Sequence, residues 1–243
     1  MTRSVRARRD AIPTGPYLVL DADVCAAVGR APRDVAAAAA RAGVAVVQVR
    51  AKRAAVRELV GLTTSVADAL TNVAGRVVLV VDDRVDVVLA ARWRGARVDG
   101  VHLGQQDLEA ADARALLGPD AVVGVSAARP AQVRAVDPAV VDYVGTGPVR
   151  LTATKPEADV AVGFDGLVRA VCGTVLPVVA IGGLAARDAA SVAATGAHGL
   201  AVVTAICAAA DPGAAARDLV ERWGAAQRAA RTSDVATAPV GAA

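Results

Sequence analysis

The sequence predicts a (β/α)8 barrel, and three observations lead to this fold class. Short apolar segments with the composition of buried parallel strands alternate with segments of helical spacing along most of the chain. Eight such units can be distinguished, which favours a closed barrel over an open sheet. The length of 243 residues is close to the roughly 250 that this fold usually takes. We therefore expect one barrel domain over residues 16–230, between a disordered basic leader (1–15) and a disordered tail (231–243).

Eight segments have the composition of strands, and each ends in, or is followed by, a glycine or a polar residue. They cover residues 17–21, 44–49, 77–81, 99–103, 121–125, 140–144, 177–181 and 199–203. The segment VVLVV at 77–81 is typical, because it is apolar throughout and four of its five residues are β-branched. Such continuous apolar runs indicate strands that are buried on both faces, as in a parallel sheet.

Segments of helical spacing lie between these strands, and prolines and glycines mark several of their ends. They cover residues 33–41, 54–71, 84–93, 107–117, 128–136, 164–172, 186–195 and 212 to about 227. Pro32 precedes the first of them and Gly43 follows it, while Gly118 and Pro119 close the fourth. Residues 145–163 form the longest stretch without periodicity inside the domain, which predicts a functional loop.

Composition and charge exclude several classes of function. Aromatic residues make up only 2% of the chain, which argues against a nucleic-acid surface built on base stacking. No run of about eighteen apolar residues occurs, so we expect no membrane span. The three cysteines are odd in number and lack the spacing of a metal site, which indicates a reducing cytoplasm. We therefore expect a cytoplasmic protein with small-molecule substrates and no nucleic-acid or membrane partner; a homo-oligomer is compatible with the sequence.

Charged and polar side chains gather where the predicted strands end, and in a barrel these ends converge on one mouth. Asp82, Asp83 and Asp107 supply carboxylates, which suit a hard cation such as Mg2+. Gly182 and Gly183 follow the seventh strand, where this fold usually binds phosphate. The other polar residues at the mouth are Gln48, Arg50, Lys52, His102, Gln105, Ser126, Thr152, Thr154, Lys155 and Thr204. This layout predicts two anionic groups in one site, one of them bound together with a metal ion.

The distribution of lysine points to the same mouth. Among 27 basic residues only Lys52 and Lys155 are lysine, and each lies in a loop after a predicted strand. One interpretation is that both positions require a compact ammonium group, as phosphate sites often do. The other interpretation is chance.

Structural alternatives exist for several of these residues. Asp82 and Asp107 can serve as N-caps of the helices that follow them, since aspartate is a favoured cap. The glycine pair at 182–183 can form a tight turn, and the loop threonines can hold their own loop through backbone hydrogen bonds. His102 lies on a strand, where a hydrogen-bonded structural role is an alternative to acid–base chemistry. His198 precedes the eighth strand, at the opposite end of the barrel, and is assigned no role.

Seven motifs occur in order with fitting spacing and together carry a resemblance to a known family. They are QVRAK (48–52), DDRVDV (82–87), DGVHLGQQDL (99–108), GVS (124–126), DYVGTGPV with TATKP (142–156), AIGG (180–183) and AVVTAI (201–206). On these motifs the chain resembles the thiamine-phosphate synthase family over about residues 16–212. The resemblance implies a (β/α)8 barrel that joins an aminopyrimidine-methyl diphosphate to a thiazole phosphate and releases pyrophosphate.

The resemblance also assigns roles to the residues at matching positions. The pyrimidine diphosphate would be bound by Gln48, Arg50, Lys52, Ser126 and Lys155, with Asp82 beside the pyrimidine. Of these, the residues with catalytic roles would be Arg50, Lys52, Ser126 and Lys155. One Mg2+ per subunit would be held by Asp83 and Asp107. The thiazole phosphate would be bound by Thr152, Thr154, Gly183, Val203 and Thr204.

The mechanism that the resemblance implies is dissociative. Diphosphate leaves from the methylene carbon of the pyrimidine, assisted by Mg2+, Arg50, Lys52 and Lys155. The electron-rich aminopyrimidine stabilises the cation that remains, and the thiazole nitrogen attacks it. No general base is required, so catalysis consists of leaving-group electrostatics and positioning.

The chain also departs from the family pattern. Asp82 stands where the family usually has asparagine, Ala153 replaces a frequent serine, and Thr204 replaces another. Arg150 and Leu151 stand where Phe-Pro is common, which can change the loop over the site or add a cation to it. Asp82 is the feature that favours two alternatives to the synthase. One is a non-catalytic paralogue that binds thiamine phosphate, and the other is a thiazole tautomerase-like protein on the same barrel.

The two adjacent aspartates are expected to play different parts. Neighbouring side chains of a strand point to opposite sides, so only one of the two can face the metal as the strand dictates. The family match makes that residue Asp83. We then expect Asp82 to lie beside the pyrimidine or at the start of the following helix.

Overall fold

The computed structural model of the chain describes residues 12–152 and 160–236, and within them eight parallel strands close into a barrel. The strands are β1 (Gly15–Asp21), β2 (Val46–Arg50), β3 (Val78–Asp82), β4 (Gly100–Leu103), β5 (Val122–Ser126), β6 (Tyr143–Thr146), β7 (Val178–Ile181) and β8 (Gly199–Val202). Each strand pairs with the next one in sequence, and β8 closes the barrel by pairing with β1. The predicted (β/α)8 barrel is confirmed.

Helices surround the barrel. They are α1 (Ala22–Ala27), α2 (Pro32–Arg41), α3 (Val56–Thr71), α4 (Val85–Trp93), α5 (Ala110–Leu117), α6 (Pro130–Ala135), α7 (Gly163–Cys172), a 3-10 turn (Ala186–Asp188), α8 (Ala189–Ala194), α9 (Thr204–Cys207) and α10 (Pro212–Ala236). Sequence periodicity did not predict α1 and α9, because helices of six and four residues are too short to show it. Helix α10 continues past its predicted end near Gln227, since Ala and Arg favour helix and no Gly or Pro lies between Gln227 and Pro239.

Strand β6 begins later than predicted. The apolar run at 140–144 predicts a strand there, but the strand is Tyr143–Thr146. The N–H groups of Val140 and Val141 both donate to the carbonyl of Asp137, at 3.1 and 3.0 Å. These residues therefore form a turn, and the strand is displaced toward the loop that follows it.

The apolar interior has two layers, one between the strands and the helices and one inside the barrel. The inner layer contains Tyr17, Val80, Tyr143 and Val179 among its buried residues. Ile12 closes it from below and is only 2% exposed, although it belongs to the predicted disordered leader. The remainder of that leader (residues 1–11) lies outside the described residues, as do residues 237–243 of the predicted disordered tail. Residues 231–236 of that predicted tail instead belong to α10. The inner layer fills the lower half of the barrel, so that the upper half at the carboxyl ends of the strands is left open.

Within the described ranges, no helix combines the length and the hydropathy that crossing a membrane requires.

Candidate active site

One cavity of about 1430 Å³ opens at the carboxyl ends of the strands, and residues from all eight strands line it. It brings together the described residues that the sequence assigned to the site: Gln48, Arg50, Lys52, Asp82, Asp83, His102, Gln105, Asp107, Ser126, Thr152, Gly182, Gly183, Val203 and Thr204. Thr154 and Lys155 lie outside the described residues, as does Ala153. Sequence reasoning missed three further cations on the lining, which are Arg129, Arg169 and Arg187. The prediction of a single mouth is therefore confirmed for the described residues.

A cluster of opposite charges occupies the cavity wall formed by β1, β2 and β3. The Arg50 guanidinium contacts the carboxylate of Asp21, and its Nε lies 3.5 Å from Oδ2 of Asp82. The Lys52 ammonium contacts Asp83 and lies 3.4 Å from the same oxygen of Asp82. Two cations are thus held by three carboxylates at the entrance of the cavity.

Asp21 belongs to this cluster, although it was not among the predicted site residues. Its carboxylate caps α1 by accepting the N–H groups of Asp23 and Val24, at 3.0 and 3.1 Å, while its other oxygen contacts Arg50. The sequence contained a signal for it, because Asp21 ends β1 in the way that Asp82 ends β3. A buried aspartate that anchors an arginine fixes the direction in which the guanidinium points.

Asp82 and Asp83 both face the cavity, which corrects the expectation that they point to opposite sides. Asp83 has a φ of 62°, in the left-handed region that aspartate tolerates better than most residues. Its N–H donates to the carbonyl of His102 at 2.7 Å, which holds this conformation. The chain therefore leaves strand geometry one residue after β3, and simple alternation no longer applies there.

The carboxyl group of Asp82 is nearly buried and orients its neighbours. The Gln48 side-chain amide donates from Nε2 to Oδ1 of Asp82 at 3.2 Å. Burial raises the pKa of Asp82, and the positive charges of Lys52 and Arg50 counteract part of that rise. Because an ionised carboxylate can only accept hydrogen bonds, Asp82 directs the amide nitrogen of Gln48 toward itself. The carbonyl oxygen of Gln48 is thereby left to face the cavity.

The helix-cap alternative fails for both Asp82 and Asp107. The residues at the N-cap positions of α4 and α5 are Arg84 and Glu109, and neither helix has a side-chain cap. The Asp107 carboxylate instead accepts the N–H of Gly104 at 2.7 Å, which folds it back over the loop after β4. A side chain at Gly104 would bring a Cβ within 2.8 Å of that carboxylate, so glycine allows the close approach.

The Asp83 carboxylate lies close enough to Asp107 to influence the ionisation of Asp107. Burial raises the pKa of Asp107, and the neighbouring Asp83 carboxylate raises it further. Two carboxylates in such contact suit a hard divalent cation, which removes the repulsion between them. Among the described residues no group of three or more acidic, histidine or cysteine side chains could hold a metal. A pair fits Mg2+, because this ion often uses one or two carboxylates and completes its coordination with substrate phosphates and water.

Replacing Asp107 with asparagine is expected to stabilise the metal-free protein near neutral pH. The raised pKa of Asp107 means that its ionised form costs the folded state free energy, and an amide removes that cost while still accepting the Gly104 N–H. Below about pH 3 both folded and unfolded wild-type chains are protonated, so the difference should vanish there. Urea unfolding in chelator across this pH range measures it. A variant that is less stable than wild type at neutral pH would contradict the repulsion.

The opposite wall of the cavity is formed by two loops that pack backbone against backbone. The N–H of Val149 donates to the carbonyl of Ile181 at 2.9 Å, and that of Arg150 donates to Gly182 at 3.0 Å. Gly182 and Gly183 have φ values of 101° and 64°. A Cβ at position 182 would lie 2.4 Å from Cα of Pro148, so only glycine permits this contact. Gly182 and Gly183 thus form a glycine junction, at which the two loops pack tightly together, and this junction also lines the cavity.

Arg150 does not add a cation to the cavity. Its guanidinium lies 2.7 Å from Oδ1 of Asp188 and 5.3 Å from the centre of the Phe164 ring. Of the two consequences expected from this departure, the structure supports the change in the loop: Arg150 ties the loop after β6 to the 3-10 turn and to α7. Leu151 is exposed.

A chain of hydrogen bonds crosses the floor of the cavity. The Tyr17 and Tyr143 hydroxyls lie 2.9 Å apart, and the Tyr143 hydroxyl lies 2.9 Å from Nδ1 of His102. Nε2 of His102 lies 3.0 Å from Oγ of Ser126. Burial raises the pKa of both tyrosines, so both remain protonated at neutral pH. Sequence reasoning missed the two tyrosines, although they are the only two in the chain and both stand on predicted strands or at their edges.

Comparison with known proteins supports one family. A sequence model described as thiamine monophosphate synthase matches residues 16–206. Thiamine-phosphate synthase of Corynebacterium efficiens is 45% identical over 79% of this chain and 88% of its own length. That of Xanthobacter autotrophicus is 44% identical over 84% of this chain and 92% of its own. Among solved structures, thiamine phosphate pyrophosphorylase from Pyrococcus furiosus is similar with a TM-score of 0.74 and 26% identity, covering 90% and 98% of the two chains.

The match to the family spans all eight strands of the barrel and the loops that line the cavity. The chain therefore belongs to the thiamine monophosphate synthase family.

Proposed function

We propose a division of labour within this cavity for the reaction of the family. The chain is a thiamine-phosphate synthase and hence a transferase. In the proposed reaction it joins an aminopyrimidine-methyl diphosphate to a thiazole phosphate and releases pyrophosphate. The observation that carries the proposal is that two candidate anion-binding sites lie on opposite walls of the cavity. Arg50 and Lys52 share one wall of the cavity with the Asp83–Asp107 pair, of which Lys52 contacts Asp83, and the glycine junction lines the opposite wall.

The diphosphate is proposed to bind at the wall that carries Arg50 and Lys52. Asp83 and Asp107 would hold one Mg2+, which would neutralise charge on the diphosphate as it leaves. In the metal-free protein Lys52 is paired with Asp83, so a cation between the carboxylates would free the ammonium to turn toward the substrate. Arg50 remains anchored by Asp21 and needs no rearrangement. Fixed positive groups of this kind stabilise negative charge as it develops on a leaving group.

The pyrimidine ring is proposed to lie against Gln48 and Asp82. Because Asp82 takes the amide nitrogen of Gln48, the carbonyl oxygen of Gln48 can accept a hydrogen bond from the amino group of the pyrimidine. Asp82 thus keeps the acceptor that an asparagine would provide and fixes the amide orientation as well. Ser126 faces the same space from β5. These contacts would place the methylene carbon between the diphosphate site and the thiazole site.

The thiazole phosphate is proposed to bind at the glycine junction formed by Gly182 and Gly183. The groups offered there come from Thr152, Thr154, Gly183, Val203 and Thr204, of which Thr154 lies outside the described residues. Gly183 lines the cavity with a positive φ, a backbone conformation that anion-binding loops often use. With both anions held at opposite walls, the thiazole nitrogen would approach the methylene carbon without a separate base.

The structure weakens the two alternatives. Both the binding paralogue and the tautomerase-like protein were favoured by Asp82 alone. Its charge is compensated by Arg50 and Lys52, and it orients Gln48 in a direction that suits the pyrimidine. An acid at this position is therefore compatible with catalysis.

The proposed function is tested by incubating the full chain with both substrates and Mg2+. Thiamine phosphate should form, and omission of either substrate should abolish it. The thiazole phosphate incubated alone reports on tautomerase activity. Ligand binding without product would favour the binding paralogue, and conversion of the thiazole phosphate alone would favour the tautomerase.

Lys155 is proposed to donate to the leaving diphosphate, and its removal is expected to slow the reaction strongly. Lys155→Ala should cost at least about 2 kcal/mol of transition-state stabilisation, the scale of a lost preorganised donor. Lys155→Arg should recover only part of this, because a planar fork does not replace a point donor. Comparison of kcat/KM for the three proteins decides the matter. Equal turnover in wild type and Lys155→Ala would refute the role.

A further inference from the structure

The hydrogen-bonded chain on the cavity floor has more hydrogens than it has links. It contains the hydroxyls of Tyr17, Tyr143 and Ser126 and the ring of His102, joined by three contacts. A neutral imidazole carries one N–H, so the four groups supply four hydrogens for three links. One hydrogen must therefore point out of the chain, at one end or the other.

The two ends are not equivalent. Tyr17 also lines the cavity but is only 3% exposed, and among the described residues no acceptor other than Tyr143 lies within hydrogen-bonding distance of its hydroxyl. Ser126 is partly exposed and faces the cavity, where water or substrate can accept its hydrogen. A buried hydroxyl whose hydrogen finds no acceptor destabilises the structure, so the spare hydrogen belongs at Ser126.

We propose that Tyr143 and His102 are positioning residues that direct the hydroxyl hydrogen of Ser126 into the cavity. The direction of every link follows from this assignment. Tyr17 donates to Tyr143, and Tyr143 donates to Nδ1 of His102. The ring carries its hydrogen on Nε2 and donates it to Oγ of Ser126. The Ser126 oxygen accepts within the chain, and its own hydrogen is offered to the substrate.

The opposite tautomer reverses this outcome, whereas a doubly protonated ring still donates to Ser126 but, like the opposite tautomer, leaves the Tyr17 hydroxyl without an acceptor in the chain. If Nδ1 carries the hydrogen, it donates to Tyr143, and Tyr143 then donates to Tyr17. The Tyr17 hydrogen is left without an acceptor in the chain, and its burial makes that arrangement unfavourable. In the Nδ1–H tautomer Ser126 would also have to donate to Nε2, which would withdraw its hydrogen from the substrate.

Two glycines make room for this chain, which shows that the barrel interior is shaped around it. A Cβ at Gly124 would lie 2.1 Å from Cζ of Tyr143, and a Cβ at Gly145 would lie 3.0 Å from Cε1 of His102. The backbone of Ser126 is held separately, because Nε2 of Gln105 donates to its carbonyl at 2.6 Å. The hydroxyl of Ser126 is thus oriented by the ring while its main chain is fixed by a second contact.

The tautomer can be measured directly, because the chain has only two histidines. His198 provides an internal reference: its Nε2 lies 2.9 Å from the carbonyl of Ile12 and must be the donor. In 15N spectra of histidine-labelled protein without substrate, His102 should show one bare Nδ1 and one protonated Nε2. His198→Gln assigns the two sets of signals. A protonated Nδ1 on His102 in the wild type at neutral pH would overturn the inference.

Steady-state kinetics test whether the orientation of the Ser126 hydroxyl affects the reaction rate. This test, unlike the tautomer measurement, rests on the proposed function. Tyr143→Phe keeps the ring that fills the space at Gly124 and should lower kcat by about tenfold, with little change in KM for the thiazole phosphate. In a Ser126→Ala background the same substitution should have little further effect, since its target is gone. His102→Gln, which can both accept and donate, should retain more activity than His102→Leu. Additive losses in the double variant would overturn the coupling. The tautomer experiment needs no turnover, so it remains decisive even if the proposed reaction fails.

Discussion

Replacing Asp83 with asparagine is expected to lower kcat/KM by more than about a hundredfold, roughly 2.7 kcal/mol. Asparagine keeps the shape of the side chain and tolerates the left-handed backbone at this position, where φ is 62°. The substitution therefore removes a negative charge while leaving the backbone unstrained. Without that charge the pair with Asp107 can no longer hold a divalent cation tightly, and Lys52 loses one of its two carboxylate partners in the metal-free state. Steady-state kinetics at saturating Mg2+ measure the loss.

Asp82→Asn is the matched control, because it makes the same chemical change one residue earlier in the chain. In this variant the side-chain oxygen at position 82 can still accept a hydrogen bond from the amide of Gln48. We therefore expect kcat/KM to change by less than about tenfold, roughly 1.4 kcal/mol. Equal effects of the two substitutions would show that Asp83 has no special role. Activity that appears only in the Asp82→Asn variant would refute the synthase assignment and favour the binding paralogue.

Removal of divalent cations is expected to abolish product formation, with turnover falling below about one hundredth of its value in Mg2+. Asp83 and Asp107 contact each other, and the charge of a diphosphate cannot be balanced by Arg50 and Lys52 alone while both are paired with aspartates. The barrel core is apolar, so chelation should leave the fold intact, which circular dichroism can verify. Readdition of Mg2+ should restore the rate. Full product formation in excess chelator would contradict the metal role.

The sequence predicted most of the architecture because the barrel repeats one pattern. Each strand is an apolar run, and each ends in polar residues or glycine, so the strands and the residues at their carboxyl ends could be placed from composition. The grouping of Gln48, Arg50, Asp82 and Ser126 around one mouth followed from the fold class alone. Topology fixes which strand ends meet, and no knowledge of side-chain packing was needed for that step.

What the sequence could not predict depends on local geometry and on contacts between distant residues. Alternation along a strand predicted opposite sides for Asp82 and Asp83, but a left-handed residue placed both in one cavity. The pairing of Asp21 with Arg50 joins the neighbouring strands β1 and β2. It depends on the register between these two strands, which places Asp21 opposite Arg50. The link from Tyr143 to His102 crosses the barrel interior and has no signature in spacing.

The most direct measurement is the quantification of both products in one reaction of the wild-type protein with the two substrates and Mg2+. We expect thiamine phosphate and pyrophosphate to appear together in equal amounts at every time point, because the bond that forms and the bond that breaks share one carbon. Pyrophosphate released without thiamine phosphate would mean that water rather than the thiazole captures the pyrimidine. Absence of both products would contradict the synthase assignment itself.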